Sequence, residues 1–230
     1  MAHRSVSTPL PLDIEFAQNP EPRCPVVLLL DTSGSMSGER IDELNAGLAT
    51  FKQAVQQDRK ASLRVEVTII TFDSYVKTVQ DFITIDQFYP PKLIASGSTS
   101  MGQGIESALN QLESRKETYN SYGIPCYKPR IILITDGGPS DGEYWKTAAQ
   151  RVRQEDAEGN FLFYAVGVEG ADMNILKQIT PLDKPPVMLK GLNFKNFFQW
   201  LSDSMVMVSQ SKIGEQISLP PLDGWAQTNA

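Results

Sequence analysis

The 230-residue sequence predicts a single α/β domain with one open, doubly wound, mostly parallel sheet, one antiparallel edge strand and helices on both faces. Three observations carry this. Short continuous apolar runs recur along the chain, as strands buried on both faces require. Between them lie stretches whose apolar residues repeat at three- and four-residue steps, the period of an amphipathic helix. Two of the runs end in an acid, Asp31 and Asp136, followed by a Ser/Gly-rich turn.

The first run, Val26 to Leu30, predicts strand one, ending at Asp31. Ile41, Leu44, Leu48, Phe51 and Val55 then mark a helix. Leu63 to Phe72 is rich in Val, Ile and Thr and alternates at first, so it predicts strand two, joined to strand one by a right-handed crossover and parallel to it. Asp73 and Ser74 read as a two-residue connection into Tyr75 to Thr84, which makes strand three antiparallel and an edge.

Residues 86–98 carry Pro90, Pro91 and Gly97 and read as an irregular connection that delivers Thr99 to a helix start. Ser100 and Gln103 form a capping-box pattern, with Met101, Ile105, Leu109 and Leu112 behind it. Arg130 to Thr135 predicts strand four, ending at Asp136. Asp141 is expected to cap a helix from about Tyr144 to Ala157, followed by a strand over Phe161 to Val168 and a short helix near Ile175 to Ile179. Pro186 to Leu189 gives a last short strand, and Phe194, Phe197, Phe198, Leu201, Met205 and Val208 line one face of a final helix. The expected organisation is an N-terminal extension over 1–21, the domain over 22–209 and a tail over 210–230.

Composition removes several functions. Hydrophobic residues make up 41% and charged residues 21%, a globular balance. A net charge of -6 with no Lys/Arg cluster offers no footprint for nucleic acid or anionic lipid. No apolar run can span a bilayer or serve as a signal peptide, so a cytoplasmic location is expected. Cys24 and Cys126 read as buried free thiols. The one histidine, His3, would have to serve every histidine-based triad, general base or zinc motif, and these are discarded.

What remains is a constellation of oxygens. In open α/β sheets ligands bind beyond the carboxyl ends of the strands, and Asp31 and Asp136 both end strands there. Asp31, Ser33 and Ser35 alternate along the first turn, so an extended stretch aims three side chains at one point. Together with Thr99 and Asp136 they offer two carboxylates and three hydroxyls, a donor set for a hard cation such as Mg2+, Mn2+ or Ca2+. An octahedral ion wants about six oxygens, which leaves a position for water or for a carboxylate from a partner. Glu39 and Asp42 fall in a helix's first turn, where they favour the macrodipole, and Asp73 and Asp141 are explained by a turn and a cap.

Asp31-Thr32-Ser33-Gly34-Ser35, then Ser96-Gly97-Ser98-Thr99-Ser100-Met101-Gly102, then Thr135-Asp136-Gly137-Gly138-Pro139 resemble the metal-ion-dependent adhesion site of von Willebrand factor A domains, over roughly residues 22 to 209. Within that family the chain is similar to the TerY-like or YegL-like bacterial branch, cytoplasmic proteins named for tellurium resistance. The resemblance implies a Rossmann-like domain in which Ser33, Ser35 and Thr99 bind metal directly and Asp31 and Asp136 act largely through water. A protein partner's Asp or Glu would take the sixth position. It also suggests a kinase, a PP2C-like phosphatase or a stress-response complex as partner. Ser98 stands where a second glycine is common.

Taken singly, each ligand has a bland explanation: Ser33, Ser35 and Thr99 as helix caps, Asp31 and Asp136 as Asx turns. Two other functions compete. A phosphotransferase using Asp31 as nucleophile beside Mg2+ would need a second acid two residues on, where Ser33 stands. A metal-free scaffold needs no chemistry at all. A P-loop fails because Gly34-Ser35-Met36-Ser37-Gly38-Glu39-Arg40 lacks the Gly-Lys-Ser/Thr ending.

Overall fold

The computed structural model describes residues 12–222 and 224–227, so His3 and the start of the N-terminal extension lie outside the described residues. Among the described residues, seven strands form one sheet in the order β3-β2-β1-β4-β5-β6-β7. Strand β1 (Cys24–Asp31) is buried at every position and lies between β2 (Val65–Phe72) and β4 (Arg130–Thr135), parallel to both. The register pairs Leu30 with Ile134 and Asp31 with Phe72. Asp31 and Thr135 therefore end neighbouring strands, which the sequence could not show.

Beyond β4 the sheet continues in parallel through β5 (Leu162–Gly167) and β6 (Val187–Leu189). On the other side β3 (Val76–Thr84) forms an antiparallel edge, as the sequence predicts. The connection before it is one residue longer than the two predicted, because Phe72 pairs with Val76 and Asp73 accepts from Tyr75 N through Oδ1 at 2.9 Å. That Asx turn holds the chain reversal. At the far edge the tail returns and adds β7 (Ala226–Gln227) antiparallel to β6.

Alternate residues of β1 feed two cores. Val26, Leu28 and Leu30 face α2 (Glu39–Gln56) and α7 (Phe194–Gln210), while Val27 and Leu29 face α4 (Met101–Ser121), α5 (Tyr144–Ala157) and α6 (Met173–Ile179). The apolar stripe read on the first long helix is buried as expected, with Gly47 on the same face. A Cβ on Gly47 would lie 2.3 Å from Phe198 Cδ2, so the glycine lets α2 and α7 approach closely.

The start of strand two shifts relative to the sequence reading. Leu63 and Arg64 belong to a short helix α3 (Arg59–Arg64), which Asp58 caps by accepting from Ala61 N at 2.7 Å. The cap wins over β propensity at Leu63. Asp141 also acts elsewhere than predicted. It accepts from Gln103 N at 3.0 Å and so caps α4 from a distant loop, while the Ser100 and Glu143 side chains at the starts of α4 and α5 make no capping bond.

At the opposite end of the sheet from these loops, α1 (Leu12–Gln18) packs on a buried charge cluster. Glu66 is fully buried between Arg23 and Arg115, with Arg115 Nε 3.0 Å from its Oε2, and it also accepts the Tyr119 hydroxyl. The tail is likewise fixed, since Trp200 Nε1 donates to Pro220 O at 2.8 Å and Trp225 packs against Phe197 and Trp200. No helix among the described residues is long and apolar enough to cross a membrane.

Candidate functional site

Asp31 is the last residue of β1, and its side chain turns over the carboxyl end of the sheet. Its Oδ1 accepts from Ser33 N at 2.8 Å, an Asx turn that starts the following loop, as the bland reading of Asp31 required. Its Oδ2 accepts from the Thr135 hydroxyl at 2.5 Å. Burial pushes the Asp31 carboxyl above its ordinary range; the bonds from Ser33 and Thr135 oppose this, and the nearby negative charge of Asp136 adds to it.

The two serines use their hydroxyls on each other and on the second acid. Ser33 Oγ and Ser35 Oγ are 3.0 Å apart, and Ser35 Oγ donates to Asp136 Oδ1 at 2.7 Å. Ser33 occupies the N-cap position of a 3-10 turn (Gly34–Met36) but makes no side-chain cap bond, so capping does not account for its hydroxyl. Asp31, Ser33 and Asp136 are nearly inaccessible, whereas Ser35 is exposed. Four of the five predicted residues thus form one hydrogen-bonded group.

Thr99 joins this group through backbone contacts rather than through its side chain. Gly34 N donates to Gly97 O at 2.9 Å and Ser96 N to Thr32 O at 2.8 Å, which lays the 96–99 loop against the 32–34 loop. Thr99 N donates to Ser140 Oγ at 2.9 Å, and Ser140 N returns to Thr99 O at 2.9 Å, which ties it to the loop after Asp136. All three quoted stretches therefore meet at one end of the sheet. Gly97 adopts φ +77, and a Cβ there would sit 2.5 Å from Ser74 Oγ. Ser98, where a glycine is common, donates its backbone N to Ser74 Oγ at 3.0 Å, so the position is filled by a contact to the β2–β3 turn.

Sequence reasoning missed two residues. Thr135 is buried at the end of β4, donates to Asp31 and accepts from Gly137 N at 3.2 Å, so it orients the first acid and the second loop together. A polar residue closing an apolar strand was the available signal. Arg40 donates through Nη1 to Asp136 Oδ2 at 2.8 Å and to Ser35 O at 2.9 Å. Its signal was weaker: a cation in the first turn of a helix runs against the helix dipole and wants another partner.

The donors gathered here are carboxylate and hydroxyl oxygens, which suit a hard divalent ion. A guanidinium already sits on Asp136, so the second acid attracts a cation. No group of three or more His, Cys, Asp or Glu side chains able to hold a metal occurs among the described residues, and a set that draws most of its oxygens from Ser and Thr would not form one.

The family model of the von Willebrand factor type A domain matches residues 26–197, most of the chain. Inter alpha-trypsin inhibitor heavy chain 4 of Mus musculus is 26% identical over 160 residues, covering 65% of this chain and 16% of that protein. The chain therefore spans only a small part of the length of the curated relatives it matches. The open conformation of the pilus adhesin SpaC from Lactobacillus rhamnosus GG is similar with a TM-score of 0.64 at 15% identity, covering 80% of this chain and 30% of SpaC. The vWF domain of the type V pili tip protein Mfa5 from Porphyromonas gingivalis is similar with a TM-score of 0.58 at 12% identity, covering 84% of this chain and 98% of that one. At these identities the structural likeness speaks for the fold alone. With its doubly wound sheet and the matched residues spanning all three site loops, the chain belongs to the von Willebrand factor type A domain family.

Proposed function

We propose that this chain is a non-enzymatic protein-binding module whose contact with its partner depends on a divalent cation, Mg2+ or alternatively Mn2+ or Ca2+, held by Asp31, Ser33, Ser35, Thr99 and Asp136. One observation carries the reading. The hydroxyls of Ser33 and Ser35 bridge toward Asp136 in a chain of 3.0 and 2.7 Å contacts above the same strand ends that present Asp31. Such a cluster of short oxygen contacts is a preformed donor set.

When bound, the ion supplies an electrophilic point that accepts a carboxylate from outside the protein. The chain's own residues do the rest. Thr135 and Ser33 N hold Asp31 in place, and Ser35 is the exposed member through which the group reaches the surface. The partner is a protein that presents an Asp or Glu. The motifs resemble those of TerY-like or YegL-like proteins, which supports a kinase, a PP2C-like phosphatase or a stress-response complex as partner. In this proposal the chain works in the cytoplasm, with an N-terminal extension over 1–21, the domain over 22–209 and a tail over 210–230.

A phosphotransferase is the lesser reading, because both Asp31 oxygens are engaged by hydrogen bonds and Ser33 is a poor general acid. The test is capture of partners from the native cell lysate on immobilised protein, with Mg2+ and with chelator, for the wild type and Asp31→Ala. Capture that requires both Mg2+ and Asp31 supports the proposal. Capture indifferent to chelator points to a metal-free scaffold, and hydrolysis of a phosphomonoester lost in Asp31→Ala points to the enzyme.

A further inference from the structure

Arg40 is a positive group that the cation-site reading does not use. It lies in the first turn of α2, where the helix dipole disfavours it, and its side chain is 30% exposed while that of Asp136 is fully buried. Its Nη1 donates to Asp136 Oδ2 at 2.8 Å and to Ser35 O at 2.9 Å. Asp136 Oδ1 already accepts from Ser35, so both oxygens of the second acid are taken by this chain's own donors. Nε and Nη2 of Arg40 make no hydrogen bond to any described residue, which leaves part of the guanidinium fork free.

The charge balance gives this arrangement a consequence. The guanidinium carries one positive charge, so Asp31, Asp136 and Arg40 sum to one negative charge rather than two. A divalent ion must share Asp136 with a fixed cation, and the filled site then carries one net positive charge. We infer that Arg40 is an internal competitor for the divalent cation. It weakens cation binding by the isolated chain and makes full occupancy depend on an incoming carboxylate, which cancels the surplus charge and can pair with the free donors of the fork. This deepens the proposed function and rests on it. An ordinary surface ion pair would only add a little stability.

The test is binding of Mn2+ alone to the purified chain, followed by electron paramagnetic resonance and by the thermal midpoint with and without Mn2+. The variants are Arg40→Ala and Arg40→Lys, with circular dichroism to check the fold. Arg40→Ala should bind Mn2+ roughly tenfold more tightly, from the loss of one positive charge close to the ion, and Arg40→Lys should stay near the wild type because the charge remains. In chelator Arg40→Ala should melt below the wild type, yet gain more from Mn2+, a crossing that a purely structural ion pair would not produce. Equal or weaker Mn2+ binding by folded Arg40→Ala overturns the inference and leaves the cation site standing. Absence of Mn2+ binding in both the folded wild type and folded Arg40→Ala overturns the site and the inference together.

Discussion

Thr135 donates its hydroxyl to Asp31 Oδ2 at 2.5 Å, across the line where β1 and β4 run side by side. Both residues are fully buried, so this bond decides where the first acid of the site can point. Replacing Thr135 by Val keeps the shape and removes the donor, leaving a buried carboxylate oxygen without a partner. The expected cost is about 1–3 kcal/mol in urea unfolding. Thr135→Ser should recover most of it, and an unfolding midpoint for Thr135→Val equal to the wild type would contradict the assignment.

Gly47 and Phe198 set the distance between α2 and α7. Because a Cβ on Gly47 would enter the Phe198 ring at 2.3 Å, Gly47→Ala should destabilise the fold by about 1–3 kcal/mol despite the better helix propensity of alanine. In a double-mutant cycle Phe198→Leu should relieve part of that cost. Additive effects would mean that the two helices adjust without strain.

Glu66 tests the other end of the sheet. It is fully buried and faces Arg23, Arg115 and Tyr119, so Glu66→Gln removes the buried charge of the cluster and leaves the two guanidinium groups with Glu15, 4.0 Å from Arg23 and 2.6 Å from Arg115. Breaking such a cluster from one side should cost about 3–5 kcal/mol, measured by chemical denaturation. Cation binding by any folded fraction should be unchanged, since the cluster lies at the opposite sheet end from Asp31.

The two thiols give the pH dependence. Burial pushes both Cys24 and Cys126 up to about 12, with Cys24 fully buried. In the unfolded chain they ionise near about 8.5. The unfolded state therefore loses protons first as pH rises, so this contribution to stability is complete below about pH 8.5 and is lost progressively toward about pH 12. The urea midpoint should fall through that window, and Cys24→Ala with Cys126→Ala should flatten the slope. Iodoacetamide should modify the native thiols far more slowly than the unfolded ones at pH 8.5.

Most of the fold was legible because the local signals agree. Continuous apolar runs at β1 and β4 and the stripe from Ile41 to Val55 each point to a single structure, and each is buried as read. One exception is local: Asp58 caps the turn before Leu63 and draws it into a helix against its β propensity. The other depends on a distant loop: Asp141 caps α4 through Gln103, 38 positions away, instead of the helix that follows it, a partner choice that neighbouring residues do not encode. The tail's fate was open in sequence for the same reason, since β7 exists only because β6 offers an unpaired edge.

By itself the sequence determined which residue types stand at the ends of which strands: an acid after β1, serines at alternate positions beyond it, a threonine before α4 and an acid after β4. Strand order and loop contacts were left to the tertiary structure. The pairing of β1 with β4 places Asp31 beside Thr135, the contact of Gly34 with Gly97 brings in the Thr99 loop, and the reach of Arg40 puts a fixed charge on Asp136. The reason is physical: periodicity reports how one segment meets water and core, whereas hydrogen bonds between residues a hundred positions apart depend on which segments the packing sets side by side.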